Sequence, residues 1–148
     1  MPMSSPAPGA RGEQLFVYGT LVDPAKLDEV LGHRHLGERL RARLRGYRRV
    51  ARASDEFPYP FILPSPDGAV DGILILDLSV ADLDVLDAYE DVAQGTYART
   101  RVGVEVWGCG PHPMSIEAHT YVAGVELVRH VSEAEAQGAQ PAAQSTAS

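Results

Sequence analysis

The stretch QLFVYGTLVDP (Gln14–Pro24) changes within a few residues from a strand-like sequence to a helix start. Leu15–Tyr18 is a β-rich run that ends at Gly19, and Asp23 followed by Pro24 is typical of an N-cap and a first helical residue. A strand that stops at a glycine before a capped helix leaves backbone N–H groups directed at one spot. This corner is either an anion-binding site or an ordinary turn, and the local pattern alone favours the turn.

Two helices are predicted in the sequence that follows this corner. The first begins at Pro24 and ends at Gly32, which is a typical C-terminal glycine, and its apolar stripe consists of Leu27, Val30 and Leu31. The second is capped by Ser79 and runs from Val80 to about Tyr89.

Four further segments have strand patterns. RLRARLR (Arg39–Arg45) alternates basic and apolar residues, and VDGILILDL (Val70–Leu78) carries Val70, Gly72, Leu74, Leu76 and Leu78 on one face. YARTRVGVEVWG (Tyr97–Gly108) and MSIEAHTYVAG (Met114–Gly124) are joined by CGPHP, which predicts a hairpin. Five strands with only two helices do not form regular βαβ units. The predicted fold is therefore of the α+β class, a small mixed or antiparallel β-barrel flanked by helices.

The composition limits the expected number of domains, the kinds of partner and the location of the protein. The 148 residues suit one domain, expected over residues 13–131, with disordered segments at 1–12 and 132–148. A net charge of -7 argues against nucleic acid as a partner, and no apolar run approaches the roughly 20 residues of a membrane span. The single cysteine, Cys109, and an N-terminus without signal-peptide features predict a cytoplasmic protein.

The segment LDVLDAYED (Leu83–Asp91) contains a candidate general base. If the helix persists to Glu90, this residue falls on the same side as Leu83 and Leu86, which face the core. Desolvation, together with the nearby charge of Asp87, would raise the pKa of Glu90 towards neutrality, as a general base requires. The alternative is a solvated carboxylate at a fraying helix end, and the pattern alone favours it.

Other polar groups give weaker signals. The arginines at positions 39, 41, 43 and 45 share one strand face, which either holds an acidic ligand or partner or, more commonly, is a solvent face paired with acids. The five histidines show no metal-ligand spacing, and no Gly-x-Ser-x-Gly or Walker pattern occurs, so no metal or cofactor is predicted. FPYPFILP (Phe57–Pro64) is equally suited to wall a small-molecule pocket or to cover the barrel edge.

Two motifs resemble one known family. FVYGTL (Phe16–Leu21) and LDAYEDVAQGTYARTRVGV (Leu86–Val104) are similar to the gamma-glutamylcyclotransferase-like superfamily, which includes the AIG2-like and gamma-glutamylamine cyclotransferase branches. FPYPFILP and AVDGILILDL (Ala69–Leu78) resemble that family's proline segment and its Val-x-Gly strand. The resemblance covers nearly the whole folded part, with the motifs in the family's order.

The resemblance implies an activity and a set of site residues. A small gamma-glutamyl substrate would be cyclised to 5-oxoproline with release of an amine or amino acid, without a cofactor. Glu90 would be the catalytic acid/base and Arg99 would be structural. The residues that would hold the substrate, largely through backbone atoms at the first four, are Tyr18, Gly19, Thr20, Leu21 and Tyr97. The alternative is a non-catalytic small-molecule-binding domain on the same scaffold.

This sequence departs from the family pattern after the glutamate. Asp91 occupies a position where many relatives have glycine, and the spacing from Glu90 to Tyr97 varies within the family. These departures leave the leaving group open. Specificity is expected from residues around the pocket mouth, with Tyr59, Phe61 and the loop from Glu90 to Tyr97 as candidates.

Overall fold

A computed structural model of the protein describes residues 12–52, 58–107 and 111–132. Apart from Gly12 and Ser132, the segments predicted to be disordered lie outside the described residues, as do Phe57 and Cys109. The described strands are β1 (Glu13–Val17), β2 (Arg39–Val50), β3 (Phe61–Leu78), β4 (Tyr97–Val106) and β5 (Met114–Ala123). The helices are α1 (Pro24–Leu31), α2 (Val80–Tyr89) and α3 (125–132), with a short 3-10 helix at Thr20–Val22.

The strands form a closed barrel in the order β1-β3-β2-β4-β5. All neighbouring pairs are antiparallel except β1 and β5, which run parallel, with Leu15 opposite His119 and Phe16 opposite Thr120. The predicted class, a small mixed barrel with flanking helices, is confirmed.

The helix boundaries follow the predicted capping residues. The Asp23 carboxylate accepts a hydrogen bond from the Ala25 N–H at 3.0 Å, and Gly32 ends α1 with a φ of 80°. Ser79 and Asp82 form a reciprocal capping box at the start of α2. Helix α3 was not predicted, because its apolar pattern is weak: Leu127 is buried, whereas Val125 is exposed.

Strands β2 and β3 are longer than the sequence pattern predicts. Beyond Arg45 the pairing shifts register, since residues 65–68 bulge out of β3, and it then resumes from Tyr47 opposite Pro64 to Val50 opposite Phe61. The FILP half of the proline-rich segment is thus a barrel strand rather than an edge cover. A proline is tolerated there because it borders the irregularity.

The core consists of two clusters of buried side chains. One contains strand residues alone, contributed by all five strands, and fills the barrel: Phe16, Ala42, Leu44, Ile62, Val70, Leu74, Leu76, Val104, Val106 and Ala118. The other packs the barrel against the helices. Leu78 belongs to this second cluster and not to the face of Leu74 and Leu76, so its predicted position is wrong. The cause is Asp77, whose φ of 65° and register shift against β1 reverse the alternation.

Gly72 is required where β1 and β3 approach each other. A Cβ at this position would lie 2.2 Å from the carbonyl oxygen of Val17 and 2.8 Å from the ring of Phe16. We expect Gly72→Ala to lower the free energy of unfolding by roughly 1–3 kcal/mol, because the barrel core must shift to admit the methyl group. Urea denaturation followed by circular dichroism measures this change.

Gly103 provides the matched control in β4. Its Cβ would meet only the Ser115 hydroxyl, at 3.3 Å, and that exposed side chain can rotate away. Gly103→Ala should therefore change stability by less than about 1 kcal/mol. Equal losses in the two variants would contradict the packing argument.

Candidate active site

A cavity of about 300 Å³ lies beside the corner that follows β1. Its walls are Phe16–Leu21 from the end of β1 through the corner, Tyr59–Pro60 before β3, Tyr89–Asp91 at the end of α2, Thr96–Tyr97 at the start of β4, and Tyr121 of β5. All six residues predicted for the site line this one cavity. Its volume is at the lower end of the range for small-molecule sites.

The corner is built by the transition from strand to 3-10 helix. Its first helical bonds run from the Val22 N–H to the Gly19 oxygen and from the Asp23 N–H to the Thr20 oxygen, at 3.1 and 3.2 Å. The N–H groups that precede these donors have no partner within the helix. Leu21 is buried and anchors the corner in the core. The Arg49 Nε donates to the carbonyl oxygen of Tyr18 at 3.3 Å.

Gly19 permits a close approach between the corner and Pro60. A Cβ on Gly19 would lie 3.0 Å from the Pro60 Cγ, a tighter contact than most side chains tolerate. The carbonyl oxygen of Pro60 in turn accepts a hydrogen bond from the Tyr97 hydroxyl at 2.6 Å. Pro60 therefore contacts two parts of the cavity wall.

Glu90 is partly buried at the C-terminal cap of α2. The helix ends one residue before it, and the Glu90 N–H still donates to the Leu86 oxygen at 2.9 Å. Leu83 and Leu86 are buried in the core, as predicted. Burial, assisted by the charge of Asp91, raises the pKa of the Glu90 carboxyl from its ordinary value to about 7.

Asp87 does not act on Glu90 as the sequence suggested. Its two carboxylate oxygens accept hydrogen bonds from the Arg99 guanidinium, at 2.8 and 3.1 Å, and one of them also accepts from the Tyr121 hydroxyl. The negative charge that raises the pKa of Glu90 is that of Asp91. Arg99 itself lies outside the cavity lining.

Three tyrosines line the cavity together with Glu90: the half-buried Tyr18 directly after β1, and the buried Tyr97 of β4 and Tyr121 of β5. Tyr18 donates its hydroxyl proton to the Tyr121 backbone oxygen at 2.5 Å, Tyr97 donates to Pro60, and Tyr121 donates to Asp87 at 2.7 Å. Burial raises the pKa of each phenol above its ordinary value, and the charge of Glu90 adds to this effect. The phenols are therefore neutral, and their protons are already donated to groups other than Glu90.

Sequence reasoning missed part of the cavity wall. It did not include Tyr89, whose hydroxyl lies 3.3 Å from the Thr20 hydroxyl, or Tyr121. Tyr121 could have been found from the predicted β4–β5 hairpin, in which it pairs directly with Arg99. Among the residues expected at the mouth, Tyr59 lines the cavity, whereas Phe61 is fully buried in the core, so its predicted position is wrong.

Two of the four arginines on the β2 face are paired with acids of the neighbouring strands. Arg43 binds Asp71 of β3 at 2.8 Å, and Arg45 binds Glu105 of β4 at 3.0 Å. Arg39 instead donates to the Val22 backbone oxygen at 2.6 Å, which ties β2 to the corner. These contacts match the solvent-face interpretation of the stripe.

Within residues 12–52, 58–107 and 111–132, no three His, Cys, Asp or Glu side chains are grouped so that they could hold a metal ion. None of the helices described there has the length and apolar character that crossing a membrane requires.

A comparison with protein families agrees with this cavity and barrel. The model for gamma-glutamyl cyclotransferase, AIG2-like proteins matches residues 15–140. The chain belongs to this gamma-glutamyl cyclotransferase family. The resemblance predicted from the sequence motifs is thereby confirmed. A search of curated proteins found no significant match.

Several solved structures share the fold of this gamma-glutamyl cyclotransferase family member. Two Arabidopsis thaliana proteins, determined in solution, are 29% and 28% identical, each with a TM-score of 0.62. The matches cover 75% and 83% of this chain and 68% and 66% of the plant proteins, so the chain spans about two thirds of their length. A mouse AIG2-like protein is 25% identical over 80% of this chain and 83% of its own, with a TM-score of 0.57.

The raised pKa of Glu90 predicts a pH-dependent stability. The folded protein holds the Glu90 proton more tightly than the unfolded chain does. The stability contributed by this proton is thus complete below about pH 4.5 and is lost as the pH rises through about 7. Glu90→Gln keeps a neutral side chain at every pH. At pH 8 we expect this variant to be more stable than the natural protein, by on the order of 2 kcal/mol.

Urea denaturation at pH 4.5 and pH 8 measures this difference. Glu38→Gln, at an exposed position before β2, is the matched control and should not gain stability at pH 8. If Glu90→Gln differed from the natural protein by the same amount at both pH values, the carboxyl would not be desolvated in solution.

Proposed function

We propose that the chain is an enzyme that cyclises a gamma-glutamyl group to 5-oxoproline and releases an amine or amino acid. The observation that supports this most directly is that Glu90, with a pKa raised to about 7, shares one small cavity with the Gly19 corner. Membership of the gamma-glutamyl cyclotransferase family supports the general kind of enzyme. Glu90 is the proposed acid/base, and the proposed substrate-binding residues are Tyr18, Gly19, Thr20, Leu21 and Tyr97.

The reaction needs only the substrate's own groups and one proton carrier. The alpha-amino nitrogen attacks the gamma-carbonyl carbon, and the new C–N bond closes a lactam ring. The C–N bond to the leaving amine then breaks, and the two protons that the alpha-ammonium nitrogen loses end on the leaving nitrogen. The task of the cavity is to fold the glutamyl chain until the reacting atoms lie about 3–3.5 Å apart.

Glu90 is suited to carry this proton in both directions. Only the neutral amine attacks, so the Glu90 carboxylate first takes one proton from the alpha-ammonium group. The attacking nitrogen gives up a second proton once the new C–N bond has formed, and Glu90 passes the protons in turn to the leaving nitrogen, which departs as an ammonium group. A pKa near neutrality allows both transfers, because the two protonation states of the carboxyl are then similarly populated. We expect kcat/KM to rise with pH through about 7, as the carboxylate form becomes populated.

The corner supplies the complementary polar groups. Backbone N–H groups of the Gly19–Leu21 turn would bind the alpha-carboxylate or stabilise the oxyanion that develops on the gamma-carbonyl. The surrounding tyrosines are neutral and restrict water, which strengthens each of these interactions. No cofactor is needed for this chemistry.

The candidate substrates differ in the group that leaves, and an activity measurement must decide among them. Glutathione, gamma-glutamyl amino acids, epsilon-gamma-glutamyl-lysine and gamma-glutamyl intermediates of antibiotic synthesis all present the same head group. Discrimination among them is expected at the cavity mouth, from the exposed Tyr59 and the segment Asp91–Thr96. The cytoplasmic location and the lack of a nucleic-acid partner stay predictions from composition.

A screen of these compounds for 5-oxoproline release tests the function. We expect at least one to be turned over by the natural protein, and Glu90→Gln to lose roughly 10²–10⁴-fold in rate, because the amide cannot accept the proton. Circular dichroism should show an intact fold, and the control Glu38→Gln should retain full activity.

Two outcomes would contradict the proposal in different ways. Near-full 5-oxoproline release by Glu90→Gln would remove the acid/base role of Glu90. Binding of a gamma-glutamyl compound by the natural protein without any turnover, measured by calorimetry, would favour the non-catalytic binding domain instead.

A further inference from the structure

The wall of the cavity is unevenly charged. Of the described residues that line it, Glu90 and Asp91 carry charge, both are acids, and none of the others is Lys, Arg or His. Two arginines contact the corner instead, through its backbone oxygens: Arg49 donates to the Tyr18 oxygen at 3.3 Å and Arg39 to the Val22 oxygen at 2.6 Å. The corner is therefore suited to an anion, whereas the wall at the end of α2 is not.

The lining divides into a covered inner wall and an exposed rim. Most of the lining side chains are buried or half-buried, and the exposed ones are Thr20, Tyr59, Tyr89 and Asp91. A gamma-glutamyl head group would occupy the inner wall, where Glu90 lies, so the group that leaves would pass the rim. Asp91 is the charged residue among these four.

The Asp91 carboxylate is available to a ligand. It is exposed, and it forms no ion pair with any other residue that the structure describes. Its φ of 55° is a left-handed conformation, which Asp, Asn and Gly adopt more readily than other residues. Its backbone oxygen accepts hydrogen bonds from the Gln94 and Thr96 N–H groups, both at 3.2 Å. These two bonds fix the turn that carries the carboxylate at the rim.

One cation lies close to the rim without lining the cavity. The Lys26 Nζ is 5.9 Å from the centre of the Tyr89 ring and 3.8 Å from a carboxylate oxygen of Glu29. Its charge is thus shared with an acid and an aromatic ring. The charge of Asp91, by contrast, acts within the cavity, because it contributes to the raised pKa of Glu90.

We propose that Asp91 is a specificity-determining residue: it disfavours gamma-glutamyl compounds that carry a carboxylate beside the scissile nitrogen and favours those that release a neutral or cationic amine. This inference deepens the proposed function and rests on it. A carboxylate at the rim would meet the like charge of Asp91 in a partly solvated site, which lowers kcat/KM by about fivefold.

The test compares gamma-glutamyl-alanine with gamma-glutamyl-alaninamide. The two compounds have nearly the same shape and differ by one negative charge on the leaving group. Asp91→Asn should lower the ratio of kcat/KM for the amide to kcat/KM for the acid about fivefold. Any change that this variant causes in the titration of Glu90 affects both compounds alike and cancels in the ratio. Asp91→Gly, which also suits the left-handed conformation, should give the same loss.

The salt dependence of the ratio separates charge from structure. Raising the ionic strength from about 20 mM to about 500 mM should lower the ratio for the natural protein, because salt screens exposed charges, and should leave the ratio for Asp91→Asn unchanged. A purely structural role of Asp91 would not produce this difference. The matched control is Asp84→Asn, at an exposed position of α2 outside the lining, which should keep the natural ratio.

The outcomes separate this inference from the proposed function. Turnover of both compounds with an unchanged ratio in both Asp91 variants would overturn the role of Asp91 and leave the enzymatic proposal standing. If neither compound is turned over, their Kd values from calorimetry decide: a preference for the amide that Asp91→Asn abolishes supports the role, and equal affinities or no binding refute it. The wider screen for 5-oxoproline release tests the enzymatic proposal separately.

Discussion

The parallel pairing of β1 with β5 is the contact on which the rest of the structure depends. Four of the five strand pairs could form in an open antiparallel sheet, and this fifth pair closes the barrel. Because β1 lies between β3 and β5, the corner after Val17 is fixed beside the start of β4 and the end of β5. Tyr97 and Tyr121 thereby reach the same cavity as Gly19.

A second constraint arises where α2 ends against this closed barrel. The buried Leu83 and Leu86 hold α2 in place. Glu90, which caps this helix, is therefore brought to the cavity whether or not its charge is well solvated there. The same burial that raises the pKa of Glu90 makes its ionised form unfavourable for the fold. A carboxyl with a raised pKa and a helix end that is fully solvated are therefore alternatives at this position, and the packing of Leu83 and Leu86 in the core enforces the first.

The sequence was sufficient for features that depend on local chemistry. The Asp23 and Ser79 caps, the glycine that ends α1, and the period-two patterns gave the order and class of the elements, because short-range hydrogen bonds and side-chain alternation determine them. The six predicted site residues meet at one cavity, although their assignment came from the family's motifs and their roles stay predictions. Local pattern alone favoured a plain turn and a solvated carboxylate.

The features that were not predicted from the sequence depend on contacts between distant segments. The FILP half of the proline-rich segment was not predicted as a strand, because only its pairing with the end of β2 makes it one. The alternation in β3 fails at Asp77 because of a register shift against β1. Asp87 was expected to act on Glu90, whereas its carboxylate binds Arg99, an arginine twelve residues away that the barrel brings near.

Pro60 joins the two halves of the cavity through one residue. Its ring packs against Gly19, and its carbonyl oxygen holds the Tyr97 hydroxyl. The connection from β2 to β3 is therefore pinned at its last residue, next to the inner half of the cavity. Tyr59, the residue before Pro60, is exposed and also lines the cavity, so a substitution there changes the shape of the entrance while the two contacts of Pro60 hold the inner wall in place.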